Sequence, residues 1–168
     1  MHIILVILLI LTSFNASAKY EYAQKTLDNG LEIYVIENHK VPAISHNLWY
    51  KVGSIDEPLG KSGIAHFLEH LMFKGTDNLE SGEFSKIIAR AGGNENAFTS
   101  YDYTGYYQNV GIDYLEIMMQ HEADRMRGLK IPDEEFVSER KVILEERRTR
   151  TDNKPSSRFR EKMYNACL

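Results

Sequence analysis

The stretch GIAHFLEHLMF at residues 63–73 predicts an α-helix that carries two histidines and a glutamate. Its apolar side chains recur at intervals of three and four, the spacing of one helix face; they are Ile64, Phe67, Leu68, Leu71 and Met72. Gly75 follows as a stop signal. His66 and His70 lie one turn apart on such a helix, so both imidazoles can reach one point in space.

The order H-x-x-E-H is the inverted form of a zinc-peptidase motif. His66 and His70 are therefore candidate ligands of one Zn²⁺ ion per chain. Glu69 lies near the same helix face, where its carboxylate can reach a metal-bound water without being a ligand. A catalytic zinc normally takes three protein ligands and keeps one position open. The third ligand must come from elsewhere, and the helix predicted to begin at Asp133 offers three glutamates: Glu139, Glu145 and Glu146.

Strand and helix patterns alternate around this motif. Short β-favouring runs predict strands over 22–27, 31–37, 44–52, 94–100 and 103–110, the first two joined by the hairpin signal Asn29-Gly30. Helical patterns cover 81–91 with Ser81 as N-cap, 112–128, 133–151 with Asp133 as the capping residue, and the chain from about 156 onward. This order predicts an α+β fold, a two-layer sandwich of helices on a mostly antiparallel sheet.

Composition limits the classes of protein that fit. The 168 residues are 43% hydrophobic, enough for one domain with a real core. A formal net charge of −4, without a Lys/Arg block interleaved with aromatics, argues against a nucleic acid partner. The single cysteine, Cys167, has no intrachain partner for a disulfide. His39, His46 and His121 lack a partner at ligand spacing and are predicted to be structural or exposed.

The N-terminus carries the pattern of a secretory signal peptide over residues 1–18. Residues 3–14 are apolar, and Ala16 and Ala18 fit a cleavage site before Lys19, although no Lys or Arg precedes the run. The run is shorter than the roughly 20 residues that a membrane span requires. We therefore expect an exported protein, periplasmic or secreted, with no stable membrane span after cleavage.

The motif and its flanks resemble the pitrilysin, insulinase and mitochondrial processing peptidase family of zinc metalloproteases (peptidase family M16). The resemblance rests on GIAHFLEHLMFKGT at residues 63–76, on Gly92-Gly93, and on NAFT at 96–99 followed by DYT at 102–104. It spans about residues 25–157, and it implies the fold of the LuxS/MPP-like metallohydrolase type. In this family a glutamate ligand follows the motif by seventy-odd residues, and a second, supporting glutamate precedes that ligand by seven.

The family pattern selects among the three glutamates. Glu146 stands 76 positions and Glu145 75 positions after His70, so spacing alone does not separate them. Glu139 precedes Glu146 by seven residues, nearly two helical turns, so the two share a face while Glu145 points about 100° away. The resemblance thus implies His66, His70 and Glu146 as metal ligands, with Glu69 and Glu139 as catalytic residues.

The resemblance also implies a substrate and a partner. Asn96 and Ala97 lie in the region that matches the family's substrate strand, which binds peptides or unfolded segments. Family members carry a second, related domain that closes over the first, and nothing in residues 19–168 corresponds to it. Because the last predicted helix has no stop signal, we expect a domain that is incomplete at its C-terminus. The alternative is a truncated or non-catalytic fragment or subunit that binds zinc but needs a second domain or partner chain.

Overall fold

The computed structural model describes residues 21–167, and the signal sequence predicted for residues 1–18 lies outside this range. The chain divides after Val41 into two structural units, which we describe separately. Among the helices of residues 21–167, none combines the length and the apolar character that a membrane crossing requires.

The first unit contains a β-hairpin. Strands β1 (Ala23–Thr26) and β2 (Glu32–Val35) pair antiparallel. The connection is closed by Leu27, whose N–H donates to the Leu31 carbonyl and whose carbonyl accepts from the Gly30 N–H, both at 2.9 Å. Gly30 adopts a φ of +85°, in the left-handed region that glycine enters without a steric penalty. The hairpin predicted from Asn29-Gly30 is therefore confirmed.

The second unit contains a three-stranded sheet and five helices. The strands are β3 (Ala43–Tyr50), β4 (Asn94–Thr99) and β5 (Thr104–Gly111), arranged in the order β3-β5-β4 with both pairs antiparallel. The helices are α1 (Ile64–Leu71), α2 (Glu83–Arg90), α3 (Leu115–Gly128), α4 (Asp133–Arg147) and α5 (Pro155–Cys167). β4 is thus an edge strand of this sheet.

The hydrophobic core lies between the sheet and two of the helices. Ile88 of α2, Val110 of β5 and Met118 of α3 are almost completely buried and pack together. Residues of β3 and β4 alternate between exposed and partly buried, as expected for strands with one face against helices and the other toward solvent. The predicted two-layer α+β architecture is confirmed.

A buried polar network joins α3, β5 and the end of α1. Arg125 and Glu122 are each 3% exposed and form an ion pair through two hydrogen bonds of 2.5 and 2.7 Å. Gln108 donates to Glu122 at 2.6 Å, and the Arg125 guanidinium lies 4.5 Å from the centre of the Tyr106 ring. Arg125 also donates to the Met72 carbonyl at 3.5 Å. A buried ion pair with its remaining polar atoms satisfied fixes the relative positions of these elements.

Two predicted helix caps and one predicted helix end differ from the structure. Asp133 is the first residue of α4 and not its cap, because Pro132 takes the N-cap position. Ser81 is not the N-cap of α2: Gly82 takes that position with a φ of +72°, and the Ser81 hydroxyl donates to Glu135 on α4 at 2.9 Å. A tertiary hydrogen bond therefore replaces the local cap. The helix predicted to run to residue 151 is α-helical only to Arg147 and continues as a π-helical turn over Arg148–Asp152.

Candidate active site

The helix that carries both histidines is held at its N-terminus by a remote carboxylate. Gly63 occupies the N-cap position with a φ of +98°, and it has no side chain to cap the helix. Glu57 takes over this role, because its carboxylate accepts from the Gly63 and Ala65 N–H groups, both at 2.8 Å. A negative charge at this end also favours the helix dipole. The first turn of helix α1 is therefore fixed, and with it the positions of His66 and His70 on the helix.

Three side-chain atoms from α1 and α4 meet at one point. The Nε2 atoms of His66 and His70 are 3.2 Å apart. The Oε2 atom of Glu146 lies 3.7 Å from the His66 Nε2 and 3.8 Å from the His70 Nε2. This Oε2 atom is buried and has no hydrogen-bond donor. The structure therefore brings together the three residues that the resemblance implied as metal ligands.

The separations fit a zinc ion. Three atoms at these distances lie on a circle with a radius of about 2.1 Å, which matches zinc–nitrogen and zinc–oxygen bond lengths. A buried carboxylate oxygen without a donor destabilises a fold unless a cation or proton compensates it. Two imidazoles and one carboxylate are also the donor set of several catalytic zinc sites, which keep a fourth position open.

The structure shows which of two neighbouring glutamates faces the histidines, a choice that their spacing from His70 did not decide. Glu145 is 65% exposed and accepts from Arg148 at 3.1 Å. Glu146 is 26% exposed, and its two oxygens face different partners. Its Oε1 accepts from Arg150 of the π-helical turn at 3.3 Å, while Oε2 faces the histidines. Consecutive residues on a helix diverge by about 100°, so only one of the pair can point at α1.

Glu139 lies behind His70, on the side away from Glu146. Its Oε1 is 2.8 Å from the His70 Nδ1, and its Oε2 is 2.6 Å from the Lys74 Nζ. Burial raises the pKa of Glu139, but hydrogen bonds from Lys74 and His70 outweigh this effect and leave the pKa below its ordinary value. The ionised carboxylate can only accept, so His70 donates from Nδ1 and keeps the lone pair on Nε2.

Glu69 is oriented by the end of the edge strand. Its side chain is buried, at 8% exposure, although it lies beside an open cavity. The hydroxyl of Thr99, the last residue of β4, donates a hydrogen bond to the Glu69 Oε2. This hydrogen bond fixes the orientation of the Glu69 carboxylate beside the cavity.

These residues line one cavity of about 560 Å³, a volume typical of ligand sites. All seven predicted site residues contribute to its wall, together with five others; the full set is His66, Glu69, His70, Phe73, Lys74, Asn96, Ala97, Phe98, Thr99, Glu139, Glu146 and Arg150. At the rim, the Ala97 N–H donates to the Asn96 Oδ1 at 2.8 Å. Sequence reasoning missed the polar residues Lys74, Thr99 and Arg150. Lys74 follows His70 by four positions, which was an available signal.

The other three histidines of residues 21–167 lie outside this cavity. His39 is exposed and pairs with Glu37 at 3.3 Å. The His46 Nδ1–H donates a hydrogen bond of 2.9 Å to the Gln108 Oε1. The ring of His121 packs 5.1 Å from that of Phe84, and burial lowers the pKa of its imidazole while Asp124 acts in the opposite direction.

Comparison with known proteins identifies relatives of this chain. The model of the family described as Insulinase (Peptidase family M16) matches residues 32–168. Zinc protease PqqE of Helicobacter pylori is 44% identical over 143 residues, which cover 84% of this chain and 32% of that protein. An uncharacterized zinc protease of Rickettsia bellii is 35% identical over 150 residues, which cover 89% of this chain and 36% of that protein.

A solved structure of a protease is also similar to this chain. The crystal structure of a protease from Helicobacter pylori superposes with a TM-score of 0.78 at 45% sequence identity, covering 82% of this chain and 33% of that one. This chain thus spans about a third of the length of these relatives. Because the family model matches most of the chain, this protein belongs to the insulinase family of zinc proteases, peptidase family M16.

Proposed function

We propose that this chain supplies the zinc-binding and water-activating residues of a metalloendopeptidase that cleaves peptides or unfolded segments. One observation carries the proposal: the buried Glu146 Oε2 lacks a donor and lies 3.7 and 3.8 Å from two imidazole nitrogens. An oxygen in this position has a clear use as a metal ligand. We assign His66, His70 and Glu146 as ligands of one zinc ion per chain.

His66, His70 and Glu146 would hold a zinc ion, which would lower the pKa of a water molecule toward neutrality and polarise the carbonyl of a peptide bond. The protein contributes the orientation of the ligands. Glu139 fixes the tautomer of His70 by accepting its Nδ1–H, and Arg150 holds the Glu146 Oε1 so that Oε2 faces the histidines. In this proposal Glu139 is a positioning residue, because it reaches the site through His70.

Glu69 is the proposed general base and acid. Thr99 orients the carboxylate by donating to Oε2, and the carboxylate accepts the proton from the attacking water and passes it to the nitrogen of the leaving amine. The burial of Glu69 strengthens this role, because a carboxylate shielded from bulk water interacts more strongly with a proton donor. The hydrogen bond from Thr99 also connects the proposed base to β4, the strand proposed to bind the substrate.

The substrate is proposed to bind along β4. This strand is at the edge of its sheet, so one side of its backbone is open to pairing with an extended peptide. The Ala97 N–H is occupied by the Asn96 side chain at 2.8 Å, and a peptide carbonyl would displace this oxygen. Backbone pairing gives affinity with little sequence preference, which suits a peptidase of peptides and unfolded segments.

The relatives are about three times as long as this chain, which favours a second candidate function. In that alternative the chain binds zinc but needs a second, related domain or a partner chain for activity. Such a domain would exclude bulk water, fix the peptide and supply donors to the oxyanion of the tetrahedral intermediate. Both candidates share the metal site and differ in the activity of the chain alone.

Export is a further part of the proposal. The apolar run of residues 3–14 and the small residues before Lys19 support cleavage of a signal peptide after residue 18. N-terminal sequencing of the protein recovered outside the cytoplasm is expected to begin near Lys19. Recovery of intact Met1 in a membrane fraction would contradict the assignment.

Metal analysis and peptide hydrolysis test the proposed function. We expect about one zinc per chain, lost in His66→Ala and His70→Ala and retained in Glu69→Gln. Hydrolysis of a quenched fluorescent peptide is expected to vanish in Glu69→Gln although the metal remains. Hydrolysis by Glu69→Gln at the wild-type rate would remove this residue from the mechanism.

A further inference from the structure

We infer that Lys74 is a positioning residue of the zinc site, because it anchors the carboxylate of Glu139 against His70. The inference rests on the proposed zinc site and adds a residue to it. Lys74 lies just beyond the C-terminal end of α1, and its backbone N–H donates to the Leu71 carbonyl at 2.9 Å. It is therefore fixed to the same segment as the two histidines, whereas Glu139 belongs to α4.

The contact is unusually enclosed for a lysine. The Lys74 Nζ is 2.6 Å from the Glu139 Oε2, and the two side chains are 22% and 13% exposed. By contrast, the side chains of Lys86 and Lys130, which also form ion pairs, are themselves 59% and 61% exposed. Exposed pairs contribute little because water competes for both charges. The enclosed pair holds its geometry more firmly, since the loss of one partner would leave a partly buried charge.

The two carboxylate oxygens of Glu139 contact different residues. Oε1 lies 2.8 Å from the His70 Nδ1, and Oε2 contacts Lys74. The terminal torsion of a glutamate is broad and roughly two-fold, so one hydrogen bond alone leaves the carboxylate free to turn. A second anchor on the other oxygen fixes its plane. Lys74 thereby keeps Oε1 on the His70 imidazole. The His70 Nε2 then stays directed at the position that it shares with the His66 Nε2 and the Glu146 Oε2.

The Lys74–Glu139 pair also links the two helices that carry the proposed ligands. The Lys74–Glu139 pair crosses from the α1 segment to α4, and Glu139 precedes the ligand Glu146 by two turns. Holding these helices together places His70 and Glu146 at ligand distance in the folded chain. Partners in this outer shell typically change metal affinity by 10- to 100-fold when they are mutated, which sets the expected effect at about that size.

Zinc affinity of the purified metal-free protein tests the inference, measured by competition with a chelator of known affinity. We expect Lys74→Met to raise the zinc Kd by about 10- to 100-fold, and Lys74→Arg to restore most of the affinity. Lys86→Met removes a lysine from an exposed ion pair and is expected to bind as the wild type does. Lys74→Gln serves as a second variant if Lys74→Met does not fold.

A double-mutant cycle separates this role from a purely structural one. If Lys74 acts through Glu139, adding Lys74→Met to Glu139→Gln weakens zinc binding little further. A wild-type Kd in Lys74→Met, or effects of the two changes on Kd that multiply, would overturn the inference. If the wild-type protein bound no more zinc than His66→Ala does, the result would instead overturn the proposed metal site on which the inference rests.

Discussion

Replacing Glu146 by glutamine removes the negative charge from the proposed metal site and preserves the shape of the side chain. A dication at about 2.1 Å from the Oε2 atom interacts with a unit negative charge by about 4 kcal/mol, even with the dielectric constant of bulk water. This energy corresponds to about a 10³-fold change in Kd. Because Oε2 is buried in the folded chain, water weakens its attraction to a cation less than this value assumes.

Glu145→Gln is the matched control, because it makes the same chemical change one residue away on the same helix. Glu145 is 65% exposed and bound to Arg148, so its charge interacts with a metal at the histidines only through solvent. Zinc content after dialysis, and Kd from chelator competition, are measured for both variants. We expect Glu146→Gln to lose zinc and Glu145→Gln to bind it as the wild type does.

The same change has an opposite consequence for the metal-free protein. The Glu146 Oε2 is a buried acceptor without a donor, and glutamine can keep its carbonyl oxygen on Arg150 while it turns its NH2 group, which is a donor, toward the imidazole nitrogens. The unfolding midpoint of metal-free Glu146→Gln is therefore expected to be no lower than that of the wild type. Zinc loss in Glu145→Gln, with zinc retained in Glu146→Gln, would refute the ligand assignment and the reasoning from the structure.

Residues 19–168 alone are expected to bind zinc but to hydrolyse a quenched fluorescent peptide poorly, since a single missing oxyanion donor lowers a rate by about 10²- to 10³-fold; adding the complementary domain of the family type should restore the rate. In that complemented enzyme, Thr99→Val should lower kcat by about 10- to 100-fold without loss of zinc, because a hydrogen bond to the ionised Glu69 contributes about 1.5–3 kcal/mol. Burial lowers the pKa of His121, so its contribution to stability is complete above the unfolded pKa of about 6.5 and is lost as pH falls through the folded pKa. Urea unfolding at pH 7.5 and 5.5 should show a smaller loss of stability in His121→Leu than in the wild type.

Each of these predictions has a result that would contradict it. Full activity of residues 19–168, abolished by Glu69→Gln, would show that this domain needs no partner. Thr99→Ser keeps the hydroxyl and should retain activity, so equal rates in Thr99→Val and Thr99→Ser would remove the role of the hydrogen bond. An identical pH dependence of unfolding in His121→Leu and the wild type would assign the acid sensitivity to other groups.

The elements that depend on local interactions could be predicted from the sequence alone. The helical period of residues 63–73 follows from hydrogen bonds between residues four apart, so the positions of His66 and His70 on one face needed no further information. The hairpin at Asn29-Gly30 is local in the same sense, because glycine adopts a left-handed turn position without a steric penalty. The α+β class followed from the order of such elements.

The contacts between side chains of different elements depend on how those elements pack. Spacing from His70 alone did not separate Glu145 from Glu146, and the family pattern favoured Glu146; the packing of α4 against α1 is what brings only Glu146 to the histidines. Thr99 reaches Glu69, and Lys74 reaches Glu139, through contacts between elements that are distant along the chain. Ser81 fitted a local cap yet bonds to α4 instead. Such contacts depend on how helices and strands pack around one core, and a pattern of residue types along one element carries no information about the neighbour that this packing provides.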